Sequence, residues 1–129
     1  MNATPFLLFE GRAEEAMNFY VSVLPETRIL HIIRYTAGQA GKEGSVMKAK
    51  FAIGSQVILC TDSVIKHAFT FTPSISLWLD CESEEEVNRL ARALSDGGYS
   101  FMAPGNYGFS RQFAWVGDKF GVTWQLNFD

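Results

Sequence analysis

Few side chains in this sequence could carry chemistry, and their spacing narrows the possibilities. There are two histidines, His31 and His67, and two cysteines, Cys60 and Cys81. A transition-metal site needs three or four convergent His, Cys, Asp or Glu donors, and nucleophilic hydrolysis needs a Ser or Cys held beside a base. No GxSxG elbow occurs, and neither histidine has a Ser or Cys placed in sequence as in a known triad. His31 falls in mid-strand and His67 in a connecting stretch, so both read as structural or solvated. The cysteines form no CxxC pair and are too few for a disulfide framework. They read as reduced thiols, either packed in the structure or touching a ligand.

Nucleotide chemistry finds little support. Residues 38–44 carry Gly38, Gly41, Lys42 and Gly44, but a phosphate loop needs GxxxxGK followed by Ser or Thr and runs from a strand into a helix. Here the spacing is short, Glu43 would repel phosphate and both flanks read as strands, so a flexible hairpin loop is expected. No GxGxxG turn with an acidic residue about twenty positions on is present. What remains are polar residues embedded in apolar strands. Arg111 alternates with Phe113 and Trp115, and Gln125 lies among Val122, Trp124 and Leu126. A buried polar group is normally paired, so Arg111 fits either a salt bridge or exposed position, or an anchor for a ligand. Gln125 fits a structural role as well as a ligand contact, and Trp78, Trp115 and Trp124 fit a core or interface as well as the walls of a pocket.

These residues must be positioned by a chain of 129 residues, long enough for one real core and short for two independent domains. Hydrophobic residues make up 47% and charged residues 19%, the range of a globular protein. The net charge of −3 and the scattering of basic residues argue against nucleic acid as a partner. No apolar run approaches the ~18–20 residues that span a bilayer, and the N-terminus lacks a basic region and cleavage site. A cytoplasmic protein is the expectation. Eleven Phe and three Trp suit a dense core or an aromatic-lined pocket.

The periodicity predicts ten elements. Residues 6–9 form a short apolar run, read as a buried strand. Ala13, Ala16, Met17, Tyr20, Val21 and Leu24 then recur at helical spacing until Pro25. Strands are predicted over 27–36, 45–53 and 56–61, with a tight turn at Gly54-Ser55. After a connection over 62–72 comes a strand over 74–80. Ser83 caps a helix whose first turn holds Glu84, Glu85 and Glu86 and whose stripe is Val87, Leu90, Ala91 and Leu94. Gly97-Gly98 ends it, and strands follow over 99–103, 110–116 and 122–128. Each half reads β, α, β, β, β. The letters support a repeat: the nine residues from Glu10 align without gaps on the nine from Asp80, an offset of 70, with identities at Glu14, Glu15 and Asn18.

Three stretches, residues 5–20, 73–86 and 118–125, resemble the PhnB-like branch of the vicinal oxygen chelate (glyoxalase and bleomycin-resistance) superfamily. The resemblance implies an α+β protein of one domain over 1–129. Its two βαβββ modules, residues 3–62 and 73–128, would form an eight-stranded, open, cup-like sheet. It further implies a homodimer and, in many members, a divalent metal held by His and Glu. The corresponding positions fall at or next to Pro5, at or next to Ser74, within 58–60 and at Gln125, which predicts no metal and no cofactor. Such sequences are sometimes labelled ubiquinone-pathway methyltransferases, a label the missing glycine-rich turn does not support. The expected function is binding of an unidentified small molecule without metal, by Arg111 and Gln125 with Trp78, Trp115, Phe9 and Cys60 around it. The alternative is a lyase, isomerase or dioxygenase of the same superfamily, with an unorthodox metal or none.

Overall fold

A computed structural model describes residues 1–129. The chain divides into two compact units, Met1–Ala68 and Phe69–Asp129. Each repeats the order β, α, β, β, β.

In the first unit, β1 (Phe6–Phe9) leads into α1 (Ala13–Val23), followed by β2 (Thr27–Arg34), β3 (Val46–Ile53) and β4 (Gln56–Asp62). The sheet order is β1-β4-β3-β2, with β1 parallel to β4 and the other pairs antiparallel. Gly54 makes the β3–β4 turn at φ 57, a conformation open to glycine. Alternation along the strands decides what is buried. Leu7 pairs with Cys60, Cys60 with Ala49, and Phe51 with Ile58. These side chains share the face covered by Ala13, Ala16, Met17 and Tyr20 of α1, and the Tyr20 ring lies 5.8 Å from that of Phe51. Full burial of the larger of these side chains, Met17, Phe51 and Ile58, stabilises by roughly 1.5–3 kcal/mol each.

This packing corrects the ligand-contact reading of Phe9 and Cys60. Phe9 shares the core face of β1 with Leu7, and Cys60 is wholly buried between Leu7 and Ala49. Burial, reinforced by the neighbouring charge of Asp62, pushes the Cys60 thiol up to about 12. It is an inert core residue.

The start of α1 has no local cap: Arg12 at the cap position offers no side-chain hydrogen bond. Asp62, at the end of β4, does the work instead. Its Oδ1 accepts from the amides of Gly11 and Ala13, both at 2.9 Å, and its Oδ2 from that of Val46 at 3.0 Å. One buried carboxylate thus joins β4, α1 and β3, with its charge at the positive end of the helix.

The second unit contains β5 (Leu77–Asp80), α2 (Glu84–Ser95), β6 (Tyr99–Gly105), β7 (Gln112–Gly117) and β8 (Thr123–Phe128), in the order β5-β8-β7-β6. Ala114, Val116, Trp124 and Leu126 lie under Val87, Leu90, Ala91 and Leu94 of α2. Asp118 in the β7–β8 turn accepts from the Phe120 and Val122 amides and from Trp124 Nε1 at 2.9 Å, which satisfies the indole of the buried tryptophan. Gly98 is required sterically, because a Cβ there would run into the carbonyl oxygen of Gly117.

The elements match the sequence expectations apart from their ends. The strand expected from 74 begins at Leu77, because Thr123 Oγ1 bonds to the Ile75 carbonyl (2.6 Å) and Ser76 Oγ (2.8 Å) where ladder bonds would run. β6 extends to Gly105 through Pro104, which its edge position permits.

Candidate functional site

The face of the second sheet opposite α2 is aromatic with a polar centre. Register puts Trp78 of β5 beside Gln125 of β8, Gln125 beside Trp115 of β7, and Trp115 beside Met102 of β6. Adjacent paired residues project to the same side of a sheet, so the four form one row across all four strands. Around the row, Phe113 lies 5.9 Å from Trp78, and Phe101 stacks 4.7 Å from Trp115 with Tyr99 behind it at 4.8 Å. Trp78 is half exposed, and Gln125 and Trp115 are half-buried.

Polar groups on this face differ in what they have left to offer. Along β8 the face carries Thr123, Gln125 and Asn127. Thr123 is spent on Ile75 and Ser76, while Asn127 is half committed: its Nδ2 donates to Asp129 at 2.8 Å, but its buried Oδ1 has no partner. The Gln125 amide bonds to no protein group. Trp115 Nε1 is buried and likewise has no partner. An unspent amide and an orphaned indole N–H thus sit side by side, each costing about 1–3 kcal/mol when desolvated without compensation.

Of the residues expected to bind a ligand, the fold therefore brings three together: Trp78, Gln125 and Trp115. Arg111 does not join them. It precedes the first ladder residue of β7, and its guanidinium lies 4.2 Å over the Phe128 ring while Nε donates to the Asp129 carbonyl at 2.6 Å. Four residues along an extended chain set it about 13 Å from Trp115. Phe9 and Cys60 belong to the core of the first unit. Phe101 and Phe113, absent from the sequence reading as wall residues, were signalled by the aromatic alternation of β6 and β7.

The metal positions are also refined. With the offset of 70 between β1 and β5, Leu8 corresponds to Trp78, and Leu8 pairs with Thr61 as Trp78 pairs with Gln125. The counterpart of Gln125 is therefore Thr61, one residue beyond the expected 58–60. Thr61 Oγ1 donates to the Met47 carbonyl at 2.6 Å. Ser74 Oγ pairs with Thr72 Oγ1, and the Pro5 carbonyl accepts from the Leu59 amide. Hydroxyls and an amide supply neither the charge nor the donors of a transition-metal site, and no three His, Cys, Asp or Glu side chains converge elsewhere. The donor set does not fit the metal that the superfamily implies.

The first unit has a cavity of its own, about 520 Å³, lined by Glu10, Lys42, Gly44, Asp62, Ser63 and Val64 among others. At its wall Ser63 Oγ lies 2.7 Å from His67 Nε2. From the sequence, His67 reads as structural or solvated. The only sequence signal for the pair is its four-residue spacing in a stretch without periodicity.

Units of this topology define the glyoxalase/bleomycin-resistance fold. The chain belongs to the family described as 3-demethylubiquinone-9 3-methyltransferase, whose model matches residues 1–127, in the PhnB-like branch of the vicinal oxygen chelate superfamily. It is 46% identical to a PhnB protein from Bacillus cereus over all of both chains, with a TM-score of 0.94. A protein from Pseudomonas aeruginosa shares the fold at 24% identity and a TM-score of 0.87, over 100% of this chain and 98% of that one. A glyoxalase/bleomycin resistance protein from Albidiferax ferrireducens does so at 14% and 0.62, over 97% of each. No curated protein matches the chain.

The family description names a methyl transfer, which requires a methyl donor. The strand-to-helix turns that hold nucleotide-like groups do so with free amides and glycines. Here the amides of Gly11 and Ala13 are taken by Asp62, and that of Glu86 by Ser83. Neither turn fits such a donor.

Proposed function

We propose that the protein binds a planar small molecule, without a metal, on the open face of the second unit. The observation that carries this reading is the row Trp78–Gln125–Trp115, in which an uncommitted amide stands between two indoles. Indole faces favour a flat ligand, with about 0.5–1.5 kcal/mol for each well-placed ring pair beyond the area buried. The amide offers one acceptor and two donors, which suits a ring bearing a carbonyl, amide or hydroxyl group. Binding sites of this kind are apolar walls with few polar groups, and orientation here falls to Gln125 together with the unpartnered Trp115 Nε1 and Asn127 Oδ1.

The test is a screen of planar heteroaromatic, quinone and catechol compounds, read by tryptophan fluorescence and thermal shift. Of the three tryptophans, Trp78 and Trp115 stand on this face and Trp124 is buried beneath α2, so quenching lost in Trp78→Ala and Trp115→Phe reports on this face. Gln125→Ala is expected to weaken a hit about tenfold, equivalent to ~1.4 kcal/mol, and Trp78→Ala by at least as much. A hit whose affinity neither substitution changes would place binding elsewhere and overturn the reading.

A further inference from the structure

We propose that Ser63 and His67 form a nucleophile–base pair that transfers acyl groups from small neutral esters entering the cavity of the first unit. Ser63 Oγ accepts from the Ile65 amide at 3.3 Å. In the tautomer with Nε2 unprotonated, the hydroxyl donates to His67 Nε2, 2.7 Å away, while the Ile65 amide occupies one of its two lone pairs. This is the polarity that general-base activation of a serine requires. The His67 backbone amide donates to Glu10 Oε2 at 3.4 Å, tying the connecting segment to the end of β1.

The remaining parts lie on the same cavity. Val64, the residue after Ser63, lines the wall, and its amide bonds to no protein group. A free N–H directly after the nucleophile is placed to receive the oxyanion of a tetrahedral intermediate. The Lys42 side chain has no ion-pair partner and borders the same space. Glu10 and Glu43 stand on the rim, so the cavity disfavours anionic substrates.

The reaction closes without a co-reactant other than water. Ser63 Oγ bonds to the ester carbonyl carbon as its proton passes to His67 Nε2. The bond to the alkoxy oxygen then breaks, and the proton leaves with the alcohol. Water attacks the acyl-serine, gives a proton to His67, and releases the acid as the proton returns to Ser63 Oγ.

The full chain would be incubated with p-nitrophenyl acetate, and separately with a fluorophosphonate probe followed by peptide mass spectrometry. Probe attachment at Ser63 is expected, with nitrophenol release falling about a hundredfold in both Ser63→Ala and His67→Gln. Because Ser63→Ala removes the acceptor of the Ile65 amide and could loosen the turn, Ser63→Cys is included. It keeps an acceptor and a nucleophile and should form a detectable thioester with the same substrate. No probe at Ser63, or release that persists in a folded His67→Gln variant, would overturn the proposal.

Discussion

Replacing Asp62 by Ala should be among the most damaging single substitutions in the first unit. The side chain is 4% exposed and receives three backbone amides at 2.9, 2.9 and 3.0 Å. The Gly11 amide lies near the surface and can turn to water. Those of Ala13 and Val46 are buried and would be left without acceptors. Hydrogen bonds to a charged group contribute about 1.5–3 kcal/mol each, so two buried losses come to roughly 3–6 kcal/mol. The carboxylate's place at the α1 N-terminus adds about 0.3–1 kcal/mol. Against a total stability of roughly 5–15 kcal/mol, the variant should be close to unfolding. Asp62→Asn should fall in between, since its oxygen can still serve two amides while its NH₂ meets a third donor. Urea unfolding followed by circular dichroism gives the loss, and tryptophan fluorescence shows whether the second unit follows. A loss below about 1 kcal/mol for Asp62→Ala would refute the reasoning.

Three further outcomes are expected. Arg34 donates two hydrogen bonds of 2.6 Å to Glu14 and holds its carboxyl below the usual 4.5. A depressed folded value means that the contribution is present above about pH 4.5 and lost as pH falls through the folded value. Glu14→Gln should therefore be less stable than the wild type at neutral pH, with the gap closing in acid, and a gap constant with pH would contradict this. Cys60, with its thiol at about 12, should resist Ellman's reagent in the folded protein and react on unfolding, while Cys81, half-buried and raised to about 11, reacts slowly. Fast native reaction of Cys60 would show that the core beneath α1 opens. Finally, calorimetric titration of the chelator-treated protein with zinc, manganese, iron(II) and nickel should show no binding tighter than about micromolar. Stoichiometric tight binding that Gln125→Ala abolishes would count against the donor-set argument.

The sequence was most informative where structure depends on neighbours in the chain. The second helix could be read almost completely: Ser83 accepts from the Glu86 amide at 3.0 Å, and Glu86 reaches back to the Glu82 amide at 3.1 Å. All the groups in that cap lie within five residues, so their spacing alone specifies it. The buried stripes of both helices and the repeated element order were equally local, because periods of 3.6 and 2 are properties of consecutive residues. Strand ends were less legible, as at β5, where Thr123 on another strand takes the ladder positions before Leu77.

The first helix shows the other side of this division. Arg12 offers its start nothing, and the cap comes from Asp62, 49 residues beyond Ala13, for which no spacing rule exists. The site residues divide in the same way. That Gln125 stands in an apolar strand was visible in the letters, but its position between Trp78 and Trp115 depends on the register of three strands. Arg111 and Cys60 had the right chemistry for a site. Arg111 lies outside the ladder and turns to Phe128, while Cys60 pairs toward the helix side of its sheet. Composition and period determined which elements form and which stripe of each is apolar. Pairing between distant strands decided which side chains share a face, because a shift of one residue in register turns every side chain of a strand to the opposite side.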